Sequence, residues 1–142
     1  MLTQIDHVGI AVADLDEEVE RYRRAFGLEP THRERMRDQG VEEVLFAVGE
    51  SYVQLLGALG SDTPVGRFLV RRGPGVHHLG YRVANVTDAL GRLRAQGVAL
   101  IDETPRGGSR GTTIAFVHPK SMGGVLVELV QEPSTTTAGR RV

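Results

Sequence analysis

Ile5-Asp6-His7-Val8-Gly9-Ile10-Ala11-Val12-Ala13-Asp14-Leu15 is written a second time, without a gap, as Val76-His77-His78-Leu79-Gly80-Tyr81-Arg82-Val83-Ala84-Asn85-Val86. The register sets His7 on His78. The match continues, because Glu18 to Gly27 against Ala89 to Gly97 reads as a polar-faced helix stopped by glycine, with an apolar segment after it. Two copies of one unit pack most simply about a pseudo-twofold axis. Such an axis carries matched histidines from distant parts of the chain toward one centre.

Alternation along the repeated stretch separates its faces. Val8, Ile10 and Val12 are bulky on one side, while His7, Gly9 and Ala11 form the other. In the second copy Leu79, Tyr81 and Val83 take the bulky face, and His78 and Gly80 the small one. A bulky aliphatic face asks for a helix against it, whereas histidine and glycine leave room for a cation and a ligand. This parity selects His78 over its neighbour His77.

Working outward, the strand Gln4–Val12 leads into a helix N-capped by Asp14 or Asp16, with Val19, Tyr22 and Phe26 on one stripe and Gly27 as its stop. The second helix takes Thr87 as cap, Leu90, Leu93 and Val98 as buried positions, and Gly97 as stop. Three strands follow in each half, near Glu29–Arg35, Glu42–Val48 and Ser51–Leu56, then near Val98–Glu103, Thr112–Val117 and Val125–Val130. The fold class is therefore α+β, with two tandem βαβββ half-units forming a curved, largely antiparallel sheet around a central metal site. One domain covers 1–133, with half-units over 4–57 and 75–132 and a linker over 58–74. The linker holds a short helix, Pro64–Arg72, whose proline suits a first turn. The tail 134–142 has no periodicity and is expected to be disordered.

Composition narrows the class. Each half-unit is too short to bury much surface alone and gains from packing on the other. A formal net charge of −1 argues against a general nucleic-acid binder, which needs a basic excess. The absence of cysteine removes disulfides, thiolate metal sites and cysteine nucleophiles, and it suits a cytoplasmic protein. No apolar run approaches the roughly 18 residues that span a bilayer. The opening residues Met1 to Gln4 run straight into a strand, without a signal-peptide pattern.

The last strands of the halves also match. Tyr52-Val53-Gln54-Leu55-Leu56 lies on Leu126-Val127-Glu128-Leu129-Val130, so Gln54 and Glu128 each interrupt an apolar strand at equivalent places. Burying an amide or a carboxylate there is unfavourable unless it is paired or coordinated. A cation held by His7, Gln54, His78 and Glu128 accounts for all four placements. Two imidazoles, an amide oxygen and a carboxylate suit Mn²⁺, Co²⁺, Ni²⁺ or Zn²⁺, and four protein ligands leave an open octahedral edge for substrate oxygens. Matching Val41–Phe46 to Thr112–Phe116 sets Val44 and Phe46 on the helix side with Ile114 and Phe116, which turns Glu43 toward the cation and Glu42 away. His32 and His118 have no matched partner and read as ordinary loop or strand residues. Arg33, Arg35, Arg37, Arg71 and Arg72 read as solvated faces.

Three pieces carry a family resemblance: Ile5 to Val12, Gly75-Val76-His77-His78-Leu79, and His118-Pro119-Lys120-Ser121-Met122-Gly123-Gly124-Val125-Leu126-Val127-Glu128-Leu129. The chain resembles the methylmalonyl-CoA epimerases of the vicinal oxygen chelate (glyoxalase/bleomycin-resistance-like) superfamily, from Ile5 to Pro133. That resemblance implies a metal on His7, Gln54, His78 and Glu128, most often Co²⁺ or Mn²⁺. It also implies catalytic bases at Glu43 and Glu128, methylmalonyl-CoA as substrate, and a homodimer. Lys120 and Ser121, in the loop beside Glu128, are candidate substrate contacts. Glyoxalase I-like lyases on this scaffold generally carry glutamate where this chain has Gln54, and non-catalytic binding members usually lack the metal ligands; both remain alternatives.

Overall fold

The computed structural model describes residues 1–134. Eight strands and three helices follow in the order β1 (Leu2–Val12), α1 (Leu15–Phe26), β2 (His32–Met36), β3 (Val41–Val48), β4 (Ser51–Ala58), α2 (Pro64–Arg72), β5 (Gly75–Val83), α3 (Val86–Ala95), β6 (Arg106–Gly107), β7 (Thr113–Val117) and β8 (Val127–Gln131). They form one sheet, ordered β2-β3-β4-β1-β5-β8-β7-β6. That order is its own mirror image about the β1–β5 seam, as the sequence repeat requires. β1 pairs antiparallel with β5, and the inner pairs β1–β4 and β5–β8 are parallel. The outer pairs are antiparallel.

Helices cover the bulky faces. Val19 of α1 packs with Val12, Val44, Phe46 and Leu55, and Tyr22 stacks on Phe46. Val86, Ala89 and Leu90 at the start of α3 pack on Val83, Ala115, Val117 and Leu129. α2 lays Val65 and Phe68 against Ala11, Met36, Val41 and Leu56, closing one end of the opposite face. The helix termini follow ordinary capping chemistry. Asp14 accepts from the Glu17 N–H, and Gly27 takes the left-handed conformation at φ 66°.

Several expectations need correction. The cap of α3 is Asn85, whose side chain accepts from the Asp88 N–H, and Thr87 lies inside the first turn. Phe26 is 68% exposed at the frayed end of α1 and is not part of the buried stripe. β2 starts at His32, because Pro30 has no N–H to give a ladder. No strand forms over Val98–Glu103. That stretch makes one isolated bridge, Leu100 to Val117, and the Asp102 carboxylate takes the Phe116 N–H that a ladder carbonyl would take. Pro105 then delays pairing until Arg106. The match of β3 to β7 shifts by one residue. Ala115 and Val117 are the helix-facing residues, so they correspond to Val44 and Phe46, while Ile114 and Phe116 face the other way. The expected disordered tail lies, from residue 135 onward, outside the described residues.

The capping assignment is open to test. Asn85→Ala should destabilise the fold by about 1 kcal/mol in urea unfolding, whereas Thr87→Ala should change it by less than about 0.5 kcal/mol.

Candidate metal centre

The β1–β5 seam brings the repeat's histidines together through an exchange of space. Across the seam His7 faces Gly80, and Gly9 faces His78. A Cβ on Gly80 would overlap the His7 ring, and one on Gly9 would overlap the His78 ring. Each half therefore supplies one histidine and the glycine hollow that receives the other half's histidine. The parallel neighbours complete the pattern, since Gln54 pairs with Gly9 on β4, and Glu128 pairs with Gly80 on β8.

The result is a compact donor set. His7 Nε2 lies 2.9 Å from His78 Nε2 and 2.9 Å from Glu128 Oε1, and His78 Nε2 lies 3.1 Å from that same oxygen. Two donors about 2.1 Å from a cation at adjacent octahedral vertices are about 3.0 Å apart. His7, His78 and Glu128 are all buried and could together hold a metal ion. Gln54 fits as a fourth donor on a separate ground. Its amide nitrogen donates to Glu43 Oε1 at 2.6 Å, while its Oε1 is buried with no hydrogen-bond partner among the described residues. A buried carbonyl without a partner is unfavourable by about 1–3 kcal/mol, and a cation would supply that partner.

Groups behind the donors fix their tautomers. The Asp6 carboxylate can only accept, so His7 Nδ1 donates to Asp6 Oδ2 at 2.7 Å and Nε2 is free for a cation. Arg82 holds the other oxygen of Asp6 at 2.6 Å and 3.0 Å. His78 Nδ1 lies 3.0 Å from His77 Nδ1, and donation to His77 leaves the His78 Nε2 lone pair facing the centre. His77 is thus the orienting neighbour of His78, and it occupies the repeat position of Asp6. The parity reading missed this role for Asp6, Arg82 and His77. The signal available in the sequence was that both histidines follow a polar residue on an otherwise apolar strand.

Charge is distributed unevenly over the cluster. Burial opposes a charge on His7, but the Asp6 and Glu128 carboxylates outweigh it and hold the ring at about 9. Burial lowers His78. Burial, reinforced by His78, takes His77 down to about 4. Burial also works to raise Glu128, yet its bonds to the two imidazoles hold it well below the usual carboxylate range. Without a cation, a proton on His7 compensates the buried carboxylates.

The donors line a cavity of about 230 Å³. Its walls include Leu45, Leu56, Ile114, Phe116 and Val130, with Met36, Gln39, Pro64 and Arg106 from the loops and strand ends around it. A mostly apolar pocket with a few convergent polar groups is the usual form of a small-molecule site. Glu43 stands one layer behind this wall. It is fully buried, bonded to Gln54, and its carboxyl is raised by burial. Glu42 points the other way, to Arg33 and Arg35. Lys120 and Ser121 are not among the lining residues, and Ser121 Oγ accepts the Ala99 N–H of the segment that follows α3. His118 caps that same loop by accepting the Lys120 N–H.

A sequence profile described as the glyoxalase/bleomycin resistance protein/dioxygenase superfamily matches residues 6–116. A mitochondrial methylmalonyl-CoA epimerase of Dictyostelium discoideum is 34% identical over 131 residues, covering 91% of this chain and 78% of that one. The chain belongs to the methylmalonyl-CoA epimerases of this superfamily. A methylmalonyl-CoA epimerase structure from Mycobacterium tuberculosis superposes with a TM-score of 0.90 at 44% identity, covering 97% of this chain and 93% of that one. A Streptomyces coelicolor epimerase variant in complex with 2-nitronate-propionyl-CoA superposes with a TM-score of 0.92 at 41% identity, covering 95% and 98%.

Two outcomes follow for the epimerase's metal centre. Gly80→Ala or Gly9→Ala should weaken Mn²⁺ or Co²⁺ binding by at least about ten-fold in equilibrium dialysis, because each displaces an imidazole of the donor set that could hold the ion. Adding metal to the metal-free protein below pH 9 should release about one proton per ion, read with a pH indicator. His7 carries that proton below its pKa of about 9, and the release should fade as pH rises above it.

Proposed function

We propose that this protein is a metal-dependent epimerase that interconverts (2R)- and (2S)-methylmalonyl-CoA by moving a proton off one face of C2 and onto the other. The observation that carries the reading is a pair of buried carboxyls from opposite halves of the sheet, Glu43 and Glu128, held in opposite protonation tendencies beside one cavity. Such a split assigns acid and base roles. His7, Gln54, His78 and Glu128 would hold a divalent ion, which would supply a Lewis acid for negative charge on the thioester oxygen. Co²⁺ is the metal we assign.

The chain's own residues then do the rest. Glu128 opens onto the cavity and takes or returns the C2 proton on its side. Glu43 serves the opposite face, and its burial favours the protonated form needed to deliver a proton at neutral pH. The Gln54 amide ties Glu43 to the donor set, so reaching C2 requires the Glu43 carboxyl to turn past that amide. The mostly apolar walls limit water at the reacting carbon, which leaves proton removal and delivery to the two carboxyls. A homodimer in the cytoplasm completes this reading, for which the cysteine-free composition is a fitting chemistry. No helix among the described residues is long and apolar enough to cross a membrane.

Incubation of metal-loaded protein with one methylmalonyl-CoA stereoisomer in D₂O tests the reaction class. Deuterium should enter at C2 as the other isomer appears, and retention of both configuration and hydrogen would refute the assignment. Glu43→Gln should lower turnover by about 10²-fold or more while leaving the bound metal and the unfolding midpoint unchanged. Full activity in that variant would remove Glu43 from the mechanism.

A further inference from the structure

Glu43 poses a problem that the proposed reaction leaves open. Each turnover in one direction leaves the two carboxyls with their protons exchanged, so the free enzyme must be reset before it can repeat that direction. Glu128 faces the cavity and can exchange there. Glu43 does not border the cavity and has no exposed surface. Its Oε1 accepts from Gln54, the Ser109 side chain of the cavity wall lies beside the carboxyl, and its buried Oε2 has no hydrogen-bond partner among the described residues.

The edge strand β2 supplies a way out. His32, Glu34 and Met36 share one face of β2, and Glu34 sits directly opposite Glu43 in the β2–β3 ladder. Two carboxylates facing each other across strands repel. The His32 ring lies between them, with Nε2 2.8 Å from Glu34 Oε1 and 3.5 Å from Glu43 Oε2. Exposure rises along the same path: the Glu43 side chain is at 0%, that of His32 at 28% and that of Glu34 at 37%. The Arg110 N–H also donates to Glu34 Oε1 at 3.2 Å, fixing the outer carboxylate in place.

Resting on the epimerase reading, we infer that His32 is the proton relay that resets Glu43, passing its proton to Glu34 and solvent and returning one for the reverse direction. Glu34 can only accept, so His32 Nε2 carries a proton toward it at 2.8 Å. In the outward step the doubly protonated ring gives that proton to Glu34 Oε1, the N–H bond breaking as an O–H bond forms, and the freed Nε2 then takes the proton of Glu43 Oε2 as its O–H bond breaks. Glu34 yields its proton to water, and the ring ends as it began, with both nitrogens protonated. No electron is transferred and no second reactant is needed. His32 touches neither substrate nor metal donors, so it is a positioning and relay residue.

Steady-state kinetics of the metal-loaded full chain tests this with wild type, His32→Ala and His32→Gln. The reset follows product release, so slowing it lowers kcat and KM together and spares kcat/KM. Both variants should lose about ten-fold or more in kcat with kcat/KM within about two-fold of wild type, at unchanged bound metal. Free imidazole should restore kcat in His32→Ala, which leaves a space, and not in His32→Gln, which fills it. A kcat that is unchanged, a kcat/KM that falls with kcat, or a full-speed His32→Gln would overturn the relay. Should His32→Ala fail to fold, the His32→Gln kinetics decide alone. Wild type that does not interconvert the stereoisomers would refute the epimerase assignment itself, and the relay with it.

Discussion

The structure depends on one steric exchange at the seam of the sheet, in which each histidine ring occupies the space of a missing side chain on the opposite strand. Gly9 and Gly80 are the only residue type that lets two antiparallel strands carry full imidazoles on the same face at this separation. Everything around the centre is registered to that exchange. Gln54 and Glu128 flank the two glycines from the parallel side, and Leu45 and Phe116 flank Gln54 and Glu128 in turn. The donors therefore sit on strands buried by helices on their other face, which holds them to a geometry that a loop could not fix.

A symmetric frame carries asymmetric chemistry. Where the first half has Asp6, a carboxylate backed by Arg82, the second has neutral His77. Gln54 corresponds to Glu128, and Glu43 corresponds to apolar Ile114 once the β3–β7 match is shifted to the observed register. These differences decide which groups are ionised. One histidine is backed by an anion and the other by an uncharged ring. One carboxyl is held low by two imidazoles, and the other is raised by burial. Proton transfer across a single carbon needs one acid and one base at any instant, and a strictly symmetric duplication would have supplied two of the same.

Buried ionisable groups are otherwise a burden on folding, and this protein concentrates them. Asp6, His7, Glu43, His78 and Glu128 are all buried, close to one cavity. Their repulsions and desolvation are offset by pairing along two chains of contacts, Arg82–Asp6–His7–Glu128 on one side and Gln54–Glu43–His32–Glu34 on the other. Among the described residues the Gln54 oxygen is an acceptor without a donor, and a bound cation would stabilise the centre by supplying its partner.

Gap-free repetition in the sequence determined the duplicated unit, the seam and the pairing of His7 with His78, because side-chain alternation on a strand is rigid and the glycines mark the receiving face. It likewise placed Gln54 and Glu128 at equivalent positions. The register between β3 and β7 was not legible, because apolar residues on both faces of β7 leave no alternation to read, and the hydrogen-bond ladder alone sets it. Nor did the chain announce that Val98–Glu103 would make a single bridge in place of a strand, since a side-chain carboxylate replacing a ladder carbonyl appears only once Asp102 meets Phe116. The polar groups behind the donors were decided by tertiary contact as well. Arg82 reaches Asp6 across 76 residues, and His32 meets Glu43 only because an edge strand folds back beside it, distances along the chain that no local pattern can span.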